Sequence, residues 1–143
     1  MNAEMIAKRH WKWAANALKA ANRDAANRDP QNAVSRAYYA MMHAANAALA
    51  TKGLQAKTHK GTHTLFNEHL VQSGEVDKQR GRDLVRGQRR RTSADYDVSR
   101  DVSESEAHEQ CTGATTFLTA IRILLRKAGL REDELDPVPP LRG

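Results

Sequence analysis

Apolar residues along this chain recur at intervals of three and four rather than two, the spacing of helices that bury one face. The final stretch shows it best. Ala107, Cys111, Ala114, Leu118, Ile121, Leu125 and Ala128 form a long seam. It opens after the capping-box pattern Ser103-x-x-Glu106 and ends at Gly129. An earlier helix is marked by Asp29 as N-cap and Pro30 at the first helical position, with Gly53 past its end. Val34, Tyr38, Met41, Ala45, Ala48 and Leu49 share its apolar arc, while Arg36, Tyr39 and His43 fall together on the opposite one. Ahead of it, Ile6, Trp13, Ala14, Ala17 and Ala21 predict a helix over 3–21 with Trp11 at an edge, stopped by the polar run Asn22 to Asp29. Leu65, Phe66, His69 and Leu70 predict a helix closing before Gly74. Another, from about Glu75 to Arg91, carries only Val76, Leu84 and Val85 and must pack by a narrow stripe. The expected architecture is all-α, an up-and-down bundle of four to five helices over residues 1–129. Residues 130–143 read as a flexible, charged, Pro-rich tail.

Composition agrees. The 143 residues suffice for one domain with its own core, aromatics are 5%, and β-branched runs are scarce. A single cysteine closes no intrachain disulfide and builds no Cys-rich zinc site. No apolar run reaches the roughly 18 residues of a membrane span, and the N-terminus lacks a signal-peptide pattern. The expectation is a soluble, cytoplasmic protein with no membrane association. The net charge of +6 and a pI near 9.8 favour an anionic partner.

That charge is concentrated. Lys78, Arg80, Arg82, Arg86, Arg89, Arg90 and Arg91 stand against one acid, Asp83, and most are arginines, whose planar fork suits phosphate. Either a polyanion relieves their repulsion or the run is a solvated helix face. Gly81 and Gly87 leave backbone there open to close approach. Asp95, Tyr96 and Asp97 follow directly, placed to orient an arginine or accept from a ribose hydroxyl; alternatively an aspartate pairs with the arginines and Tyr96 packs. Arg36 and His43 lie two helical turns apart, about 10 Å at the backbone, and long side chains there can converge on one phosphate. Arginine with histidine can cleave RNA without metal, the imidazole activating a 2′-hydroxyl and the guanidinium steadying the phosphate. The alternative is a structural histidine and arginine. His59 and His63 are four apart, yet no carboxylate stands at an evident ligand spacing, so no metal site is expected. Phosphate-loop, dinucleotide and nucleophile-elbow signatures are missing, and no cofactor is expected.

Taken in order, Ala33-Val-Ser-Arg36-Ala-Tyr38-Tyr39-Ala40, His43-Ala-Ala, Lys52-Gly53, Lys57-Thr-His59-Lys60-Gly61 and Arg91-x-x-Ala-Asp95-Tyr96 resemble the HEPN domain superfamily. The branch resembled is the small stand-alone proteins paired with a minimal nucleotidyltransferase (MNT). The resemblance implies a helical bundle that homodimerises. It also implies membership of a toxin–antitoxin system, with metal-independent endoribonuclease activity on RNA phosphodiesters and a nucleotidyltransferase-type antitoxin as partner. The alternative is a non-catalytic dimer that binds nucleotide or RNA and docks that partner. The ribonuclease members carry R-x4-6-H. Arg91 matches the arginine, and Tyr96 stands where the histidine falls. On this reading Arg91, Asp95, Tyr96, Arg36 and His43 are catalytic candidates. Arg86, Arg89, Arg90, Lys57, His59 and Lys60 are candidates for binding RNA or phosphate. A third possibility uses the basic run to hold an acidic protein, or the acidic segment Glu132–Asp136 in cis.

Overall fold

Two long antiparallel helices, α1 (Ala3–Ala26) and α2 (Pro30–Ala50), are the frame on which the computed structural model is assembled. It describes residues 1–141; Arg142 and Gly143, the end of the expected tail, lie outside the described residues. A short α3 (His59–Phe66) widens into one π turn (Asn67–Val71), and α4 (Lys78–Tyr96) and α5 (Glu104–Lys127) complete the bundle. The described residues contain no strand, so the all-α expectation holds.

The helix caps follow the sequence signals. Asp29 accepts from the Asn32 amide ahead of Pro30, and Ser103 accepts from the Glu106 amide at 3.0 Å. Gly53 and Gly129 take positive φ after α2 and α5, as helix-ending glycines do.

α2 is the central helix and packs against α1, α3, α4 and α5. Its alanines Ala33, Ala37, Ala40, Ala44, Ala45, Ala47 and Ala48 are all fully buried. Small side chains on nearly every face allow several helices to approach at once. Between them sit the large core residues Tyr38, Met41 and Leu49, with Phe117, Leu118, Ile121 and Leu125 from α5. Each full burial of such an aliphatic side chain is worth roughly 1.5–3 kcal/mol.

Several local expectations change in the structure. Trp11 is the core tryptophan, 1% exposed, and Trp13 faces outward, 45% exposed. α1 continues through the polar run to Ala26 because Ala21 and Asn22 are buried on its inner face. His69, expected as a contact position, is exposed in the π turn, while its neighbour Leu70 is buried. Gly81 and Gly87 also let helices pack closely. A Cβ at Gly87 would stand 3.1 Å from Met41 Sδ and 3.4 Å from a Tyr38 ring carbon, and one at Gly81 3.3 Å from Val71.

The segment after Gly129, expected to be loose, lies along α1 and α5 as far as Pro140. The Trp11 indole donates to the Asp136 carbonyl at 2.8 Å, and Asn22 donates to the Pro140 carbonyl at 3.2 Å. Arg122 donates to the Leu135 carbonyl at 2.8 Å, and Leu130 and Leu135 are buried. Its acids do not reach the basic run of α4. Glu132 pairs with Arg122 and Arg126, Asp133 with Arg131, and Glu134 with Lys8.

Candidate functional site

Along α4 the packing stripe runs Leu84, Gly87, Arg91, Ala94, at helical spacings of three and four. Leu84, Gly87 and Ala94 are buried. Arg91 therefore occupies a position where a helix of this kind would ordinarily carry an apolar residue. Its side chain is 20% exposed.

A guanidinium held there needs partners. Three elements supply them. Arg91 Nη2 donates to the Tyr39 hydroxyl of α2 at 2.7 Å, and the guanidinium lies over the Tyr39 ring, 5.3 Å from its centroid. One turn along α4, Asp95 Oδ2 stands 3.0 Å from Arg91 Nε, an i,i+4 ion pair that exists because the helix runs on to Tyr96. Asp95 is fixed in turn by the Ser35 hydroxyl of α2, which donates to Oδ1 at 2.6 Å. The Tyr96 ring also flanks the guanidinium at 5.6 Å, yet Tyr96 is 68% exposed.

The N-terminus of α3 closes the other side. Thr58 caps it by accepting from the Gly61 amide at 2.9 Å, which places His59 in the first turn. The exposed His59 imidazole lies edge-on to Tyr39, 5.8 Å between ring centroids, and equally far from Tyr38. One turn on, His63 Nε2 is 3.0 Å from the Tyr38 hydroxyl. Burial pushes the Tyr38 phenol up to about 12 and lowers His63, so a neutral phenol shares this hydrogen bond with a neutral imidazole. His63 therefore fixes α3 against α2. Among the described residues no group of three or more metal-ligating side chains comes together.

Beside this cluster a cleft of about 770 Å³ opens between α3, the π turn and α4. Phe66, Leu84 and Val85 make its apolar wall, and Arg82, Arg86 and Arg89 stand along it with His63. The basic run thus divides. Arg80 pairs with Asp83 at 3.2 Å, Arg90 with Glu109 of α5 at 2.8 Å, and Arg91 with Asp95. Lys57 and Lys60 are exposed on either side of His59.

Arg36 and His43 do not converge. Arg36 turns to Asp24 of α1, with Nη1 3.3 Å from Oδ2. His43 turns to His10 of α1, the two Nδ1 atoms 3.2 Å apart, with the Trp13 ring 5.3 Å away. Burial, then the neighbouring His10 and His59, lower the His43 imidazole to about 4. Cys111 is buried and its thiol pushed up to about 11, as befits a core residue rather than a nucleophile.

The HEPN domain model matches residues 7–124, nearly the whole of the five-helix bundle. The chain belongs to the HEPN domain family. A Methanocaldococcus jannaschii protein named "Putative toxin MJ0605" is 34% identical over 97 residues, 68% of this chain and 72% of that one. A Thermotoga maritima protein named as a UPF0332 protein is 33% identical over 94 residues, 66% and 71% of the two chains. In this HEPN chain Arg91 lies on the α4 stripe with its side chain 20% exposed, and the Tyr96 ring flanks it. No helix among the described residues is long and apolar enough to cross a membrane.

Proposed function

We propose that this HEPN protein is the toxin-like member of a toxin–antitoxin pair and acts as a metal-independent endoribonuclease. The observation that carries this reading is Arg91. It is a cation on a packing stripe, held by Tyr39 and Asp95 and flanked by the exposed Tyr96, with the exposed His59 against Tyr39. Tyr39 and Asp95 hold the guanidinium charged and in a fixed orientation while part of it stays open to solvent. A partly exposed, oriented guanidinium of this kind fits a site that meets an anion. The toxin name carried by the M. jannaschii relative points the same way.

In this reading the phosphodiester lies against Arg91, with Arg86 and Arg89 meeting neighbouring phosphates from the cleft. His59, exposed beside Tyr39, accepts the proton of a ribose 2′-hydroxyl. The 2′-oxygen forms its bond to phosphorus, the bond to the 5′-oxygen breaks, and that oxygen leaves with a proton from solvent. The products are a 2′,3′-cyclic phosphate and a 5′-hydroxyl. Arg91 stabilises the charge that builds on the phosphoryl oxygens. A homodimer would set two such clusters side by side, and a nucleotidyltransferase-type antitoxin would hold the activity in check.

The test is cleavage of single-stranded RNA in excess EDTA by the purified protein and by Arg91→Ala and His59→Ala. Cleavage by the wild type, lost in both variants, is the expected result. RNA that stays intact with the wild type contradicts the catalytic reading. Salt-sensitive binding that weakens in Arg91→Ala, without turnover, identifies instead the non-catalytic module that docks a partner.

A further inference from the structure

The outward face of α1 carries an aromatic that the core does not use. Trp13 is 45% exposed, the Arg9 guanidinium lies 5.6 Å from its ring centroid, and His10 and His43 meet it edge-on at 5.7 and 5.3 Å. An indole in water beside a cation is a stacking platform for a flat, anionic ligand. Its position matters. His43 is one turn from Tyr39 along α2, and His59, which touches Tyr39, is near enough to act electrostatically on His43. The partly buried Tyr39 and His43 of α2 therefore lie between residues of two other helices. α1 supplies Trp13, Arg9 and His10, and α4 supplies Arg91 and Tyr96.

We infer that Trp13 and Arg9 form a base-stacking subsite for single-stranded RNA, one or more nucleotides away from the phosphate held at Arg91. The inference rests on the ribonuclease reading and adds to it a second binding point. A strand laid across the α2 face places one base on the Trp13 indole and an adjacent phosphate at Arg9. Stacking accepts any base, so the subsite sets the length of RNA gripped rather than its sequence. Met5 lies two turns from Trp13 on the same helix and is 53% exposed. That raises a protein partner as the competing occupant. The cation on the ring and the +6 net charge favour the nucleic acid.

The probe is an eight-nucleotide 2′-O-methyl oligoadenylate, which cannot be cleaved through its 2′-oxygen. The readout is tryptophan fluorescence together with binding affinity. Only Trp13 is open to a stacking base, since Trp11 is buried. Wild-type emission should be quenched on titration. Trp13→Ala should lose the quenching and bind about tenfold more weakly, while Trp13→Phe should recover most of the affinity. Circular dichroism confirms that each variant is folded. Binding that weakens in Arg91→Ala but is untouched by Trp13→Ala overturns the subsite and leaves the ribonuclease reading standing. No binding by the wild type overturns both. If Trp13→Ala changes the oligomeric state at unaltered affinity, the indole belongs to a protein interface and the subsite falls.

Discussion

Tyr39 and His43 stand one turn apart on the same face of α2, and their surroundings give them opposite electrical characters. At Tyr39 the facing helix brings a guanidinium and a carboxylate, so the phenol becomes part of a charged, hydrogen-bonded cluster that solvent still reaches. At His43 the facing helix brings a second imidazole and an indole, and burial holds the ring neutral far below its usual range. A helical wheel places the two residues together. What each can do is decided by the helix opposite, and α4 and α1 bring different chemistry to adjoining turns.

The contrast can be broken most strongly at Arg91. Arg91→Ala should reduce RNA cleavage about 100-fold or more, measured as the rate at saturating RNA. Arg91→Lys should recover little of it, because a point charge lacks the planar fork that reaches Tyr39, Asp95 and a phosphate together. Equal activity in both variants and the wild type would remove the guanidinium from the mechanism.

The His43 side sharpens under acid. The unfolded chain protonates this imidazole near 6.5 and the folded one only at about 4. As pH falls, the unfolded state takes up the proton first. Stability is then complete above about pH 6.5 and declines down to about pH 4. The loss should be about 1–2 kcal/mol, allowing for solvent screening of a half-buried ring. His43→Gln should flatten that limb in urea titrations between pH 7 and pH 4. A limb of the same slope in the variant would assign the loss to other groups.

A smaller effect is expected at Ser35. Ser35→Ala removes the hydroxyl that fixes Asp95 and should cost about 1 kcal/mol, read as a fall of a few degrees in Tm. The smallest effects lie in the cleft. Arg86→Gln and Arg89→Gln should each lower the slope of log affinity against log salt by about one, with little change in folding. A slope unchanged in the double variant would show that the cleft arginines meet no phosphate.

Much of the frame is legible in the sequence because its signals are local. Asp29-Pro30 and Ser103-x-x-Glu106 are capping chemistry and mark helix starts without reference to the rest of the chain. The seam is a periodicity, and it is buried from Ala107 to Leu125; Ala128, read as its last member, is exposed past the end of α5. Misreadings arise where alanine blurs the apolar face. In α1 alanines lie all round, so periodicity cannot tell Trp11 from Trp13, and only the packed segment after Gly129 decides which indole has a carbonyl to meet. Asn22 reads as a helix breaker for the same reason; its partner, the Pro140 carbonyl, is 118 positions away. The candidate site is legible in part. Arg91, Asp95 and Tyr96 stand close in sequence and meet in space. Ser35 and Tyr39 join them only through the antiparallel register of α2 and α4, which no short motif encodes. The available signal was the stripe Leu84, Gly87, Arg91, Ala94, a packing face interrupted by a charge.

The central claim is that Arg91 and its neighbours cleave RNA by attack of the 2′-oxygen. The most direct measurement is the chemistry of the RNA ends released in EDTA, read by mass spectrometry. The account requires 2′,3′-cyclic phosphate and 5′-hydroxyl ends that vanish in Arg91→Ala. Ends bearing a 3′-hydroxyl and a 5′-phosphate, or cyclic-phosphate ends that persist undiminished in Arg91→Ala, would contradict it.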